Sequence, residues 1–297
     1  MYKDYFGEIL TAMVTPFDAT GAIDWTAMDA LIEHLLQNDT DTLVVTGSTG
    51  EAATLSFQEK VAIYSHVVDK VAGRAKVIAG TGTNDTAETI ALTRSAAASG
   101  VHGIMLVAPY YNKPPQDAMY AHFHAVASAC QLPILLYNVP GRTASNILPE
   151  TVLRLAAIEN IFGVKEASGN LDQVSAIAEQ APANFVIYSG DDSLTLPILA
   201  VGGHGVVSVA SHLIGRQLKA MVRAYKRGEI HTARKWHYEI LPVCRAMFVT
   251  TNPVPLKAAL NMIGVSVGAP RLPLLPCPAA EQKVVRQALL NFGLLEN

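Results

Sequence analysis

A lysine near the end of an apolar run is the first residue that suggests chemistry. Lys165 follows Gly163 and Val164 in "GVKEASGN", a stretch typical of a short buried strand. A buried ammonium costs several kcal/mol unless it is paired or loses its proton. A neutral amine in an apolar pocket can attack a ketone and form a Schiff base. The alternative is an ion pair inside the fold, with Glu51, Asp191 or another glutamate.

Tyrosines follow two other apolar runs. Tyr137 stands at the end of "PILLYNV", and Tyr110 and Tyr111 lie in the proline-bounded loop "PYYNKP". A buried phenol needs a hydrogen-bond partner and can also relay protons. Tyr137 is therefore either a proton-transfer group or a core tyrosine with a satisfied hydroxyl. For the adjacent pair, packing is the simpler interpretation.

Two further segments could bind an anion. "GSTGEA" places the hydroxyls of Ser48 and Thr49 between glycines, and such a cluster of donors suits a small carboxylate or phosphate. A plain strand–helix turn would have the same composition. Arg142 follows a Pro-Gly pair, where a guanidinium could form a bidentate contact with a carboxylate or a structural salt bridge.

These polar residues follow a series of apolar runs that the pattern predicts to be buried parallel strands. The runs span 9–15, 42–47, 76–81, 103–109, 133–139, 161–167, 185–190 and 205–210. Helical spacing separates them, as in 24–39, where Asp24 is the expected N-cap. Eight such repeats predict a (β/α)₈ TIM barrel, whose active sites lie at the carboxyl ends of the strands. A doubly wound open sheet is the alternative, although it usually has fewer strands and often the G-x-G-x-x-G turn that is missing here.

After the eighth strand the alternation stops and the pattern becomes purely helical. We therefore expect a catalytic barrel over residues 1–225 and a C-terminal helical domain over residues 226–297. Within the barrel, Asp191 or Asp192 is expected to cap the helix after the seventh strand.

Composition argues against several classes of protein. The net charge of −3 and the lack of a basic run argue against nucleic acid as a partner. No stretch approaches the ~20 apolar residues of a membrane span, and charges occupy the place of a signal-peptide core. The three cysteines form no C-x-x-C pair and no H-E-x-x-H motif occurs, so neither a disulfide framework nor a metal site is predicted. A cytoplasmic enzyme is the simplest interpretation.

Six motifs, in sequence order, resemble the dihydrodipicolinate synthase family of pyruvate-dependent class I aldolases. They are "TGSTGEAATL", "PYYNKP", "LYNVPGRT", "GVKEASGN", "SGDD" and "GGHGVVSV", and the resemblance covers essentially the whole chain. It implies condensation of pyruvate with L-aspartate 4-semialdehyde to 4-hydroxy-tetrahydrodipicolinate, a step of lysine and diaminopimelate biosynthesis. It also implies a homo-oligomer, expected to be a homotetramer, and no cofactor besides the covalent Schiff base with pyruvate.

The resemblance assigns the catalytic roles to four residues. Lys165 forms the Schiff base, and Tyr137 moves protons at the reacting carbon. Ser48 and Tyr111 complete a hydroxyl relay with Tyr137. In the family, the tyrosine at the position of Tyr111 reaches in from a neighbouring subunit.

Four further residues are implied to bind the substrates. Thr49 holds the pyruvate carboxylate through its hydroxyl and backbone N–H, and Arg142 receives the carboxylate of the semialdehyde. Gly190 and Val207 shape the pocket through backbone atoms.

The chain departs from the family pattern at the relay. Ser48 stands where threonine is common, and "GSTGE" also occurs in sialic acid lyases. Another pyruvate-dependent aldolase, an N-acetylneuraminate lyase or a 2-keto-3-deoxy sugar acid aldolase, is therefore the alternative. Arg142 favours the synthase, because those lyases lack this arginine.

A second departure concerns regulation by lysine, which can inhibit family members at a subunit interface. Asn84, Glu88 and Tyr110 match residues of that site, whereas Ala52 and Lys60 stand where lysine-sensitive members often have serine and histidine. A cation at position 60 would repel a cationic ligand. We therefore expect weak or absent inhibition by lysine.

Overall fold

Eight parallel strands close into a barrel in the computed structural model, which describes residues 2–296. The strands are β1 (Ile9–Ala12), β2 (Thr42–Val45), β3 (Lys76–Gly80), β4 (Gly103–Val107), β5 (Ile134–Asn138), β6 (Ile161–Glu166), β7 (Val186–Ser189) and β8 (Gly205–Ser208). Each strand pairs with the next, and β8 pairs with β1. The predicted TIM barrel is confirmed.

The strands are shorter than the apolar runs that predicted them. The first run continues to residue 15, whereas β1 ends at Ala12. Met13 and Val14 are still buried, because the loops that leave the carboxyl ends pack over the barrel before they reach solvent. An apolar run therefore marks burial, and the hydrogen-bonded ladder occupies only its first part.

Helices cover the outside of the barrel. They are α1 (Tyr2–Phe6), α2 (Trp25–Gln37), α3 (Phe57–Val71), α4 (Thr86–Ala98), α5 (Gln116–Ser128), α6 (Pro140–Thr143), α7 (Pro149–Ala156), α8 (Leu171–Gln180), α9 (Thr195–Ala200), α10 (Ser211–Lys226), α11 (Ile230–Ala246), α12 (Val254–Met262) and α13 (Ala279–Phe292). In α2, the Asp24 carboxylate caps the first turn by accepting from the Ala27 N–H at 2.9 Å, as predicted. None of the helices between residues 2 and 296 has both the length and the apolar character needed to cross a bilayer.

The amino end of the barrel is closed by aromatic packing. Phe6, the last residue of α1, is fully buried and stacks on Phe162 of β6 with ring centroids 4.7 Å apart. A side chain at Gly103 would meet the Phe6 ring at 2.8 Å, so the glycine allows this close packing. The Tyr188 hydroxyl donates to the Gly7 carbonyl at 2.8 Å and ties the same end to β7. Phe6 therefore forms the floor of the barrel.

The C-terminal helices pack on one another and on the end of the barrel. Helix α11 packs on α10 and α13, and α12 packs on α13. The predicted boundary after residue 225 falls one residue before the end of α10. The division into two domains stays a prediction, and its outermost residues, Met1 and Asn297, lie outside the described residues.

The expected cap after the seventh strand is wrong. Asp191 makes no side-chain cap, and the buried Asp192 carboxylate instead accepts from the N–H groups of Val209 and Ala210 at 3.1 and 3.0 Å, together with the Ser208 hydroxyl. Asp192 thus joins the loop after β7 to the start of α10. A local pattern could not predict this contact, because the residues that Asp192 bonds lie 16 to 18 positions away in sequence.

A buried histidine joins the loops after β1 and β8. His212 Nδ1 donates to the Val209 carbonyl at 2.8 Å, and Nε2 accepts from the Val14 N–H at 3.3 Å. Both ring nitrogens are used by the neutral form, and burial lowers the pKa of His212 to about 3, against an ordinary value of 6.5.

This histidine predicts loss of stability in acid. Above pH 6.5, His212 is neutral in both states and contributes no pH dependence. Below it, the unfolded chain takes up a proton that the folded chain refuses until about pH 3, so the free energy of unfolding falls across that window by on the order of several kcal/mol. Urea midpoints measured from pH 7 to 3 should fall less steeply in His212→Gln. Parallel curves for the two proteins would contradict this account.

Candidate active site

Lys165 and Tyr137 lie side by side near the carboxyl end of the barrel. Val107, Tyr137, Lys165 and Tyr188 are register partners on the adjacent strands β4 to β7. Side chains in register on parallel strands point to the same face, here the barrel interior. Lys165 is 5% exposed, and its Nζ lies 4.0 Å from the centroid of the Tyr137 ring. The amine therefore rests on an aromatic face beside a phenol.

The ion pair considered for Lys165 belongs to another lysine. Glu51 pairs with Lys257 of α12, with Oε1 and Nζ 2.6 Å apart, and both side chains are buried. Among residues 2–296 no carboxylate forms an ion pair with Lys165. Because its charge has no direct partner, Lys165 is the buried lysine that is suited to act as a nucleophile.

Asp191 supplies a carboxyl in the electrostatic range of Lys165. Burial raises the pKa of Asp191, and the positive charge of Lys165 opposes that rise. The backbone of Asp191 is held by Ser189, whose hydroxyl donates to its carbonyl at 2.7 Å. The carboxyl end of β7 thus places an acid near the amine without an ion pair.

The loop after β2 offers unused hydrogen-bond donors. Within the described residues, the backbone N–H groups of Ser48, Thr49 and Gly50 donate to no protein atom. Thr49 is buried, and its hydroxyl oxygen accepts from the Asn252 side chain at 2.9 Å. Glu51 follows with a left-handed backbone at φ 57°, a conformation unusual for glutamate. The loop is therefore a strained, donor-rich turn that suits a small anion.

A cavity of about 380 Å³ opens beside this loop and reaches Tyr137 and Arg142. Among the predicted residues it is lined by Ser48, Ala52, Lys60, Glu88, Tyr110, Tyr137 and Arg142. Arg142 is exposed, and its Nη2 donates to the Asn252 carbonyl at 3.2 Å. Part of the predicted catalytic set thus shares one cavity with most of the predicted regulatory set. Lys165 and Thr49 are not among its lining residues, but each is next to one that is, Lys165 beside the Tyr137 ring and Thr49 beside Ser48 in the chain.

Tyr111 is the predicted catalytic residue that the chain does not bring to Tyr137. Its side chain is 87% exposed, and its backbone has φ 75°. The neighbouring Tyr110 turns toward the cavity. Within one chain, Tyr111 therefore points to solvent.

Gly190 and Val207 shape the barrel beside Lys165. A side chain at Gly190 would lie 2.6 Å from the Cβ of Ala167, while the Gly190 N–H donates to the Glu166 carbonyl at 2.7 Å. Glycine is thus required for β7 to approach β6 this closely. Val207 is fully buried and faces the same interior cluster as Tyr137.

Charges of both signs meet at the outer end of the cavity. Burial lowers the pKa of Lys60, and Glu88 opposes that fall. Burial, and then the charge of Glu88, raise the pKa of Tyr110, whereas a hydrogen bond from the Asn84 backbone lowers it. Lys60 thus supplies a cation next to Glu88 inside the chain itself.

Sequence reasoning missed three residues of the C-terminal region that hold the site. They are Asn252, Lys257 and Arg271. The Arg271 N–H donates to Glu51 at 2.9 Å, and its side chain donates to the Thr54 carbonyl at 2.9 Å. A lone lysine between apolar residues of "PVPLKAALNM" was an available signal for a buried cation. Asn252 and Arg271 carried no comparable signal.

The closed barrel holds a buried lysine on its sixth strand with no ion pair within residues 2–296, a phenol beside it and free N–H donors at the same mouth. These are the parts that a Schiff-base lyase of the class I aldolase type requires. The sequence model of the Dihydrodipicolinate synthetase family matches residues 5–291. The chain belongs to this family, as predicted.

Named relatives agree along the full length. The 4-hydroxy-tetrahydrodipicolinate synthase of Cyanothece sp. is 52% identical over 291 residues, which cover 98% of this chain and 99% of the relative. A crystal structure of dihydrodipicolinate synthase from Bacillus anthracis has a TM-score of 0.94 at 47% identity and covers 98% of this chain and 99% of that one. The enzyme of Cyanidioschyzon merolae, crystallised with lysine bound, has a TM-score of 0.96 at 45% identity, with coverage of 98% and 99%.

Proposed function

We propose that this chain condenses pyruvate with L-aspartate 4-semialdehyde to give 4-hydroxy-tetrahydrodipicolinate, through a Schiff base on Lys165. The observation that carries the proposal is the buried Lys165 amine, which has no ion pair within residues 2–296 and lies 4.0 Å from the centroid of the Tyr137 ring. Tyr137 and Arg142 line the same cavity. Full-length similarity to named synthases supports the same reaction.

The residues divide the reaction between them. The Lys165 amine attacks the pyruvate ketone, a C–N bond forms and the carbonyl oxygen leaves as water. The iminium draws electrons from the methyl carbon, which loses a proton and attacks the aldehyde as an enamine. Tyr137, relayed through Ser48 and the Tyr111 of a neighbouring copy, moves the protons. The amino group of the second substrate then attacks the iminium carbon, closes the ring and frees Lys165.

The carboxylates are held by different groups. Thr49 and the free N–H groups of its loop hold pyruvate, while Gly190 and Val207 shape the pocket through backbone atoms. Arg142 receives the carboxylate of the semialdehyde. No metal ion is required for these steps, since the protonated imine supplies the electron sink.

Replacing Arg142 tests the choice of second substrate. Arg142→Ala should lower kcat/KM for the semialdehyde roughly ten- to a hundredfold, the value of a hydrogen bond to a charged group. Borohydride trapping of pyruvate should be unchanged, and Arg142→Lys should recover only part of the loss because it lacks the bidentate fork. Steady-state rates of the wild-type chain and the variants with the semialdehyde and with sugar aldehydes show which aldehyde is the second substrate. Faster turnover of a sugar aldehyde by the wild-type chain would replace this function with that of a sugar acid aldolase or lyase.

Lysine should inhibit the enzyme weakly or not at all. The ammonium of Lys60 stands beside Glu88, where it would repel the side chain of a lysine ligand. Titration of L-lysine into the steady-state assay measures this, and Lys60→His should increase sensitivity by removing the permanent charge. Strong inhibition of the wild-type chain at submillimolar lysine would refute the expectation.

We also propose a homo-oligomer, a homotetramer, working in the cytoplasm. A tyrosine as exposed as Tyr111, held on a left-handed backbone, suits insertion into a second copy of the chain. The relay with Tyr137 requires that insertion.

A further inference from the structure

Asn252 contacts both side chains that the proposed function assigns to substrate carboxylates. It lies between α11 and α12 and is 5% exposed. Its Nδ2 donates to Thr49 Oγ1 at 2.9 Å, and its backbone carbonyl accepts from Arg142 Nη2 at 3.2 Å. One residue of the C-terminal region thus spans the pyruvate side and the aldehyde side of the site.

The first contact decides which way the Thr49 hydroxyl can donate. A hydroxyl carries one proton and can accept two hydrogen bonds. Because Asn252 donates to Thr49, the Thr49 proton must point elsewhere. In the described part of the chain Thr49 Oγ1 has no second partner. The proton is therefore left for a ligand, together with the unused N–H groups of the same loop.

The orientation of the Asn252 side-chain amide leaves one of its polar atoms without a partner among the described residues, at a cost in stability. With Nδ2 turned to Thr49, the Asn252 Oδ1 is buried and has no hydrogen-bond partner among residues 2–296. A buried acceptor without a partner lowers stability. An apolar side chain would fill this position equally well if only packing mattered. The presence of an amide therefore indicates that its N–H donor, which bonds Thr49, has a role.

We propose that Asn252 is a positioning residue that turns the Thr49 hydroxyl proton toward the pyruvate carboxylate and fixes Arg142 at a set distance from it. This inference rests on the proposed function. The C-terminal region thereby takes part in substrate selection, since it sets the separation of the two carboxylate subsites.

The isosteric change Asn252→Asp tests the inference. A carboxylate cannot donate, so it would accept the Thr49 proton and remove it from pyruvate. The pyruvate concentration that half-saturates borohydride trapping should rise about tenfold or more, while kcat at saturating pyruvate should change far less. Asn252→Leu, which also lacks a donor but adds no charge, should shift in the same direction by a smaller factor.

A double-mutant cycle separates positioning from general damage. In a Thr49→Val background there is no hydroxyl to orient, so adding Asn252→Leu should raise half-saturation less than about twofold. Asn252→Asp should then show only the part of its effect that comes from its added charge. Asn261→Asp is the matched control, because this exposed asparagine also bonds within the C-terminal region, to the Gly268 carbonyl at 3.0 Å, and lies away from the site. It should leave pyruvate trapping unchanged.

The outcomes distinguish this inference from the function on which it rests. Unchanged half-saturation in Asn252→Asp, or equal effects with and without the Thr49 hydroxyl, would overturn the positioning role while wild-type trapping leaves the Schiff-base chemistry standing. Failure of the wild-type chain to trap pyruvate would overturn both.

Discussion

Lys165→Ala is expected to lower kcat/KM roughly 10⁴-fold or more and to leave the barrel folded. The loss follows because, in the proposed reaction, the amine forms the covalent bond that all later steps use. Folding should persist because, within the described residues, no carboxylate is left without its ion-pair partner when Lys165 is removed. Borohydride reduction with labelled pyruvate, followed by peptide mass spectrometry, measures the adduct directly. The wild-type chain should carry one reduced pyruvate on Lys165, and the variant none.

Lys165→Arg is the matched control for charge. A guanidinium keeps a cation over the Tyr137 ring but stays protonated and cannot act as the nucleophile. It should therefore be as inactive as alanine. Near-normal turnover by either variant, or an adduct on a different lysine of the wild-type chain, would rule out Lys165 as the Schiff-base residue.

Lys257→Ala is expected to destabilise the fold by about 3–5 kcal/mol, the usual cost of leaving a buried charge without its partner. The carboxylate of Glu51 would lose its 2.6 Å contact while staying buried. Burial lowers the pKa of Lys257 and the Glu51 charge opposes that fall, so each charge makes the other tolerable. Activity should fall as well, because Glu51 follows the loop that carries Ser48 and Thr49. Urea unfolding and steady-state kinetics measure the two effects.

Removing both charges should restore most of the stability. In Lys257→Met with Glu51→Gln neither member of this pair is charged, and the glutamine oxygen can still accept from the Arg271 N–H. Lys283→Ala is the control for loss of an exposed lysine, because Lys283 lies on an exposed face of α13. If Lys257→Ala proved no more costly than Lys283→Ala, the ion pair would not be what holds this loop.

The barrel and many residues of the candidate site could be predicted from the sequence, because both depend on local sequence patterns. Eight apolar runs marked the strands, and the residues at their ends, such as Ser48, Tyr137 and Lys165, converge simply because the strands are parallel and closed. An apolar run with a polar residue at its end can be recognised without knowing which distant residues pack against it.

The remaining features depend on contacts that no local pattern encodes. Asp192 accepts from the N–H groups that precede α10, one strand further on, and Asn252 reaches Thr49 across 203 positions of sequence. The apolar neighbours of Lys257 could have predicted that it is buried, but no local sequence pattern indicates Glu51 as its ion-pair partner. Tyr111 is 87% exposed within one chain, and the proposed relay with Tyr137 calls for a second copy, which a single sequence does not position.

The stacked rings of Phe6 and Phe162 have a kinetic consequence. In the described part of the chain they close the amino end of the barrel, so the interior is reached from the carboxyl end. Under the proposed reaction, pyruvate occupies the deeper position on Lys165, and the water expelled on imine formation leaves by the route through which the aldehyde arrives. Pyruvate must then enter first, and the cyclic product must leave before the next pyruvate enters. A closed floor thus makes the order of binding and release compulsory.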